Sequence, residues 1–228
     1  MEDIIKNLYY NGFSVSNIKK VIPNIQQKDI DNVLKNQEVY QLMKKQTKTK
    51  NNFPLSADYE NKRVQIDLLD IGSSFNKYPI QKNKNYRYIF CCVDVFTRRA
   101  YTYPLKTKNQ NEITEAFEKI LNDIGEPPFQ IDCDNEGSFT SKQFKDLCKK
   151  YKININFVQS GDIQAKGVVE RFNQTLRSKI VQLTLMRGER VWIDKLQDLT
   201  NIYNNTFNSG INQIPNNVDS EQRLKDIE

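Results

Sequence analysis

Hydrophobic positions recur at two different periods along this 228-residue chain, and the change of period divides it. From Met1 to about residue 46 the spacing is helical. It predicts helices over Asp3 to Tyr10, over Asn17 to Ile22 with Ser16 as N-cap, and over Gln27 to about Lys45 with Ile30, Val33 and Leu34 on one face. Gly12 and Pro23 punctuate them. From Arg63 onward strand patterns enter: Arg63 to Ile71, Tyr86 to Phe96 and Ala100 to Leu105 read as three consecutive antiparallel strands. A helix over Asn111 to Ile124, a strand over Phe129 to Cys133, a helix over Ser141 to Tyr151 and a strand over Ile153 to Val158 follow. A long helix over Val168 to Arg187 and helical spacing over Trp192 to Phe207 come last. That order specifies an α/β unit with a mixed five-stranded sheet flanked by helices, preceded by a small all-helical one.

The expected organisation is a helical N-terminal domain over 1–46, a basic linker over 47–60, an α/β core over 61–215 and a helical tail over 216–228. Three short helices with tight turns suit a helix-turn-helix DNA-binding unit or a plain packing module. The segment entering the linker carries Lys44, Lys45, Lys48 and Lys50 with no acid and no apolar residue, which suits either a solvated spacer or a strap along phosphates. The polar insert Gly72 to Asn85, with Lys77, Lys82 and Lys84, reads as a long hairpin loop near the site or a flap that touches DNA.

Lys and Arg total 34 against 28 Asp and Glu, a net charge of +6 and a pI near 9.0, which favours a polyanionic partner without identifying it. The acidic start Met1-Glu2-Asp3 does not resemble a signal peptide and no apolar run reaches a membrane span, so an intracellular protein with no membrane partner is expected. Histidine is absent, and Cys91, Cys92, Cys133 and Cys148 form no Cys-x-x-Cys pair. Zinc is not expected, and serine–histidine and cysteine–histidine mechanisms are excluded. The thiols lie in apolar runs as reduced core residues do.

The remaining chemistry belongs to carboxylates. Asp67, Asp134 and Glu170 sit at the ends of apolar strand-like runs or on one face of an amphipathic helix, where a carboxylate is costly unless cations or hydrogen bonds compensate it. A two-metal phosphoryl-transfer site meets that demand. Asp132 shares the parity of Asp134 and is its rival; Asp70 suits a supporting or surface role, and Asp94 a strand-end hydrogen-bonding role. Glu170, Asn173, Gln174 and Arg177 are spaced to share a helix face, and Asn173, Gln174 and Arg177 are candidate DNA contacts beside the acids. Lys166, four residues before Glu170, is a further candidate DNA contact.

These residues resemble the ribonuclease H-like catalytic core of retroviral-type integrases and related transposases, the DDE recombinases, over roughly residues 60 to 215. The thirty-five residues between Asp134 and Glu170, with Gly167-Val168-Val169-Glu170, carry the likeness and select Asp134 over Asp132. Within the group the chain looks most like integrases of Maverick or Polinton transposons and virophages. The supporting stretches are Leu8-Tyr9-Tyr10, Gln65-Ile66-Asp67-Leu68-Leu69-Asp70, Val93-Asp94-Val95-Phe96, Glu170-Arg171-Phe172-Asn173-Gln174-Thr175-Leu176 and Tyr203-Asn204-Asn205-Thr206. Retrotransposon integrases are the nearest competitor.

The resemblance implies two Mg²⁺ or Mn²⁺ ions, with Asp67 bridging both, Asp134 holding one and Glu170 the other. It also implies 3′-end processing and strand transfer of donor DNA into target DNA, a homodimer or homotetramer, and nuclear access in a eukaryotic host. A nuclease of the same fold and a non-catalytic DNA-binding or assembly protein are the alternatives. Where many relatives read Asp-Asn-Gly this chain reads Asp134-Asn135-Glu136-Gly137, which shifts the glycine and puts a carboxylate beside the expected metals. A histidine–cysteine zinc domain before the core and a small SH3-like or chromodomain-like module after it, both carried by relatives, are not seen in this sequence.

Overall fold

The structure, a computed structural model, describes residues 1–35, 37, 56–72, 79–158 and 166–227. Its centre is strand β1 (Arg63–Asp70), paired antiparallel with β2 (Tyr88–Asp94), which pairs antiparallel with β3 (Ala100–Leu105). On the other side β1 runs parallel to β4 (Gln130–Asp134), and β4 parallel to β5 (Asn154–Val158). The sheet order is β3-β2-β1-β4-β5, the mixed five-stranded sheet expected from the pattern, with some strand ends moved by one or two residues, among them the end of β4, which extends to Asp134. Parallel pairing forces crossovers, and helices supply them.

Both faces of β1 are covered, so each parity of its side chains serves a different core. Val64, Ile66 and Leu68 pack with α4 (Gln110–Ile124) and α5 (Lys142–Lys150) around Phe90, Phe117, Phe139 and Phe144. Phe90 stacks on Phe117 at 5.8 Å between ring centroids, and Phe139 meets Phe144 edge-on at 5.4 Å. Leu69 and Ile71 pack with Ile89, Cys91 and Val93 against α6 (Gly167–Arg187), α7 (Leu196–Asn204) and Trp192. Each such large side chain contributes roughly 1.5–3 kcal/mol on burial. Asn109 and Ser141 start α4 and α5 by accepting hydrogen bonds from the Glu112 and Phe144 amides.

β3 is an edge strand, and α7 closes it against further pairing. The Asn204 side-chain amide both accepts from Ala100 N and donates to Ala100 O, each at 2.8 Å, and Gln197 donates to Thr102 O at 2.9 Å. In the polar insert, a 3₁₀ turn over Gln81–Asn83 is pinned by Asn83, which donates to Arg190 O and accepts from Trp192 N. The described part of the insert, expected as a long hairpin loop near the site or a flap that touches DNA, is therefore tied to the segment after α6, and Lys77 lies outside the described residues. Past Ile214, α8 (Ser220–Lys225) folds back so that Arg223 donates to Phe96 O and Ile227 packs near Val95 and Phe96.

The N-terminal helices are α1 (Glu2–Tyr10), α2 (Val15–Val21) and α3 (Gln27–Leu34), closed over Ile5, Tyr9, Ile18, Ile30 and Leu34. Two details differ from the sequence reading. The N-cap of α2 is Ser14, whose extended backbone lets its hydroxyl accept from Asn17 N, so Ser16 falls inside the first turn. The third helix stops at Leu34, the last residue it buries, and beyond it Gln37 accepts a hydrogen bond from the Tyr10 hydroxyl. The remainder of the helix expected to Lys45 lies outside the described residues.

This helical unit rests on α6 through backbone carbonyls at the end of α1. Lys179 Nζ donates to Gly12 O at 2.6 Å, and the Gln182 side-chain amide donates to Tyr9 O. Among the described residues no carboxylate pairs with Lys179, and burial lowers its pKa from 10.5 to about 8. Between those values the unfolded chain holds a proton that the folded chain has shed, so stability rises with pH across that window and is flat below it. Lys179→Met is expected to abolish the rise between pH 8 and 10.5. Thermal unfolding recorded across that range checks it, and an unchanged slope in the variant would assign the effect to other groups.

Candidate active site

Gln65 and Asp67 occupy alternate positions of β1 and so point to the α6 side of the sheet. The β1–β4 register pairs Gln65 with Asp132, and two residues further on it brings Asp67 level with Asp134. Two carboxylates on neighbouring strands repel unless a cation lies between them, and that cation is Lys166. Its Nζ is 3.0 Å from Asp67 Oδ1 and 2.5 Å from Asp134 Oδ2, with the lysine side chain only 6% exposed. The other Asp67 oxygen accepts from Asn173 Nδ2 at 2.6 Å. Burial opposes the Lys166 charge, but Asp67 and Asp134 outweigh it and hold its pKa above the ordinary value.

The helix that carries Lys166 and Asn173 is locked to β1 by a residue that sequence reasoning did not single out. The start of α6 has no side-chain N-cap of its own, and Gln65 Oε1 accepts from both Val168 N and Val169 N at 3.0 Å. The available signal was a fully buried polar residue two positions before Asp67 on the same strand face. Through this lock, the first turn of α6 and the carboxylate-bearing strand are held as one piece.

The expected site residues divide into three groups. Asp67, Asp134, Lys166 and Asn173 are brought together. Lys166 and Asn173, expected as DNA contacts, hold carboxylates from within in this structure; Asn173 is buried and, among the described residues, its Oδ1 has no hydrogen-bond partner. Glu170, Gln174 and Arg177 form an exposed stripe on α6, while Asn173 turns inward from the face expected to hold all four. Among the described residues no three acids, cysteines or histidines gather closely enough to enclose a metal ion. Lys166 offsets one of the two charges of the aspartate pair, and Glu170 stays at the solvent edge one turn along the helix. Lys44, Lys45, Lys48 and Lys50 lie outside the described residues.

The other acids are already engaged. Asp132 is fully buried and accepts from Arg63 Nε at 2.5 Å and from Gln130 and Asn156 at 2.9 Å. Asp70 accepts two hydrogen bonds from Arg87. Asp94 caps the β2 end, accepting from Thr97 N and Oγ1 at 2.7 Å and from Asn61 N at 3.1 Å, and burial raises its pKa. Glu136 makes only an exposed 3.8 Å pair with Lys108. Gly137 has ordinary backbone and open space where a Cβ would sit, so the shifted glycine is not sterically required. Burial pushes the Cys133 and Cys148 thiols up to about 12, keeping them protonated.

Replacing Gln65 with Leu strips two buried amides of their acceptor, at about 1–3 kcal/mol for each unsatisfied group. Gln65→Leu is therefore expected to lower unfolding free energy by about 3 kcal/mol in urea titrations, whereas Gln65→Glu, which keeps an acceptor, loses less. Equal losses in the two variants would count against the lock.

Comparison with known proteins gives the same outline. Residues 58–162 match the model of the integrase core domain. A transposon-derived protein of Caenorhabditis elegans is 30% identical over 137 residues, covering 60% of this chain and 47% of that protein. The Transposon Tf2-3 polyprotein of Schizosaccharomyces pombe is 27% identical over 138 residues, covering 60% of this chain and 10% of the polyprotein. The chain thus spans about half or much less of the curated relatives it matches. Among solved structures, a chain of a simian T-cell lymphotropic virus intasome in complex with a PP2A regulatory subunit superposes with a TM-score of 0.62 at 15% identity, over 92% of this chain and 72% of that one. The HTLV-2 integrase catalytic core domain in complex with magnesium does so with a TM-score of 0.55 at 19% identity, over 72% of this chain and 97% of that one. Residues 58–162 are thus similar to the integrase core domain, and the five-stranded sheet with its helices has the ribonuclease H-like fold of integrase cores.

Proposed function

We propose that this chain is a DNA integrase or transposase that trims the 3′ ends of a donor DNA and joins them to a target DNA. Residues 61–215 form its catalytic domain and 1–46 an accessory helical one. The observation that carries the reading is the convergence of Asp67 and Asp134 from adjacent parallel strands onto one cationic atom, with Glu170 on the first turn of the helix beside them. The match to the integrase core domain supports it.

The donor set fits hard divalent cations, since carboxylate oxygens already point at a positive charge. Asp67, Asp134 and Glu170 would hold Mg²⁺ or Mn²⁺, two ions per site, which supply the Lewis acidity that activates an attacking oxygen and stabilises a leaving 3′ oxygen. Asn173 fixes the Asp67 rotamer through Oδ2, and Gln65 fixes the helix that presents Glu170. Gln174 and Arg177, exposed on the same helix, are available to the donor end, and the charges of Lys44, Lys45, Lys48 and Lys50 suit contact with phosphates. No side chain needs to act as nucleophile, in keeping with a chain that lacks histidine. Water serves in trimming, and the exposed 3′-hydroxyl in joining.

Joining two donor ends calls for at least two copies, so the working form is a homodimer or homotetramer on DNA. The matched solved chains include one from an intasome and a dimeric HTLV-2 integrase core with magnesium. The stretches around Asp67, Glu170 and Tyr203 resemble those of Maverick or Polinton transposon and virophage integrases, which supports an element of that kind; insertion into eukaryotic chromosomes would put the protein in the nucleus.

A labelled donor duplex with a recessed 3′ end, incubated with supercoiled plasmid and Mg²⁺ or Mn²⁺, is expected to yield joined product. Glu170→Gln, Asp67→Asn and Asp134→Asn are each expected to reduce it by at least about 10³-fold, the scale of losing a transition-state contact of about 4 kcal/mol. Nicking without joining would favour a nuclease of the same fold. DNA binding with neither activity would reduce the chain to a binding or assembly role.

A further inference from the structure

The contact between Lys166 and the aspartate pair has a consequence beyond offsetting charge. We infer that Lys166 is an exchangeable counter-cation: it holds Asp67 and Asp134 in register in the metal-free protein, is expelled when a divalent cation binds them, and then carries its ammonium to a DNA phosphate. The inference rests on the proposed metal-dependent reading of this site.

Three observations support it. The ammonium takes one oxygen from each carboxylate, Oδ1 of Asp67 and Oδ2 of Asp134, at 3.0 and 2.5 Å. Asn173 holds the remaining Asp67 oxygen. A divalent ion bound between the two aspartates competes with Lys166 for Asp67 Oδ1 and Asp134 Oδ2, and two cations at contact distance from the same oxygens repel. The binding events are mutually exclusive at these atoms, and the exchange favours a double charge over Na⁺ or K⁺, which bring no more charge than the ammonium they displace.

The departing side chain can leave by rotation alone. Lys166 is the residue before α6, with non-helical backbone, so its flexible stem can swing without disturbing the hydrogen bonds of the helix. Glu170, Gln174 and Arg177 line the exposed side of that helix, and Lys166 would add a positive charge to the edge where the donor end lies. In this arrangement the free protein presents an aspartate pair with one of its two charges offset, and divalent cation and phosphate contact arrive together.

The test uses the full chain and Mn²⁺ alone as probe. Lysine acylation read by mass spectrometry is expected to be slow at Lys166 in the metal-free wild type and to rise by about tenfold when Mn²⁺ is added, with no rise in Asp134→Asn. Paramagnetic-resonance titration is expected to show Lys166→Met binding Mn²⁺ about tenfold more tightly than wild type, equivalent to about 1.4 kcal/mol, with Lys166→Arg close to wild type. Because the labelling arm uses wild-type protein, a poorly folded variant does not spoil it. Mn²⁺ binding that depends on Asp67 but leaves Lys166 reactivity unchanged would overturn the exchange while sparing the proposed function. Failure of both wild type and Lys166→Met to bind Mn²⁺, with or without donor duplex, would overturn both.

Discussion

Asp67 lies on the central strand of the sheet, and the molecule around it is arranged to make a carboxylate tolerable there. A buried charge without partners costs several kcal/mol, so β1 can hold an acid only where cations and donors reach it. Lys166 and Asn173 supply them from one helix, and Gln65 fastens that helix to the strand by its first turn. On the opposite face of β1, Val64, Ile66 and Leu68 lie in the phenylalanine-rich core, and the acid at its end, Asp70, is paired with Arg87. One strand thus anchors the molecule on one side and presents chemistry on the other.

The helix α6 links that chemistry to the N-terminal helices. Its first half carries Lys166, Glu170 and Asn173, and its second half carries Lys179 and Gln182, which hold backbone carbonyls at the end of α1. Carbonyls at a helix end are only partly satisfied within the helix and accept such donors readily. The helical unit is therefore seated on α6 by polar contacts to main chain. Asn204 and Asn83 use the same device elsewhere, each pairing with main chain from a distant element.

The periodicity of the chain specified the five strands and the helices between them, because each alternates or repeats long enough to separate a period of 2 from one of 3.6. It erred at element boundaries: Ser14 takes the cap that Ser16 was expected to take, and α3 ends at Leu34, the last residue it buries. The acids Asp67, Asp134 and Glu170 stood out because carboxylates interrupt apolar runs or recur at a known spacing. Gln65 did not, since a glutamine in a strand carries no charge and its partners, the amides of Val168 and Val169, lie more than one hundred residues away.

What the sequence determined by itself was local and periodic: element types, the parity of Asp67 and Asp134 along their strands, and the helical spacing of Glu170, Gln174 and Arg177. Only the tertiary structure decided how those residues are used. The parallel register sets Asp67 level with Asp134, the packing of α6 turns Asn173 inward, and Lys166, which one-dimensional reading places in solvent, becomes the buried ammonium between two aspartates. The reason is physical: a charged side chain goes where its opposite charges are, and their positions are fixed by strand pairing across residues distant in sequence.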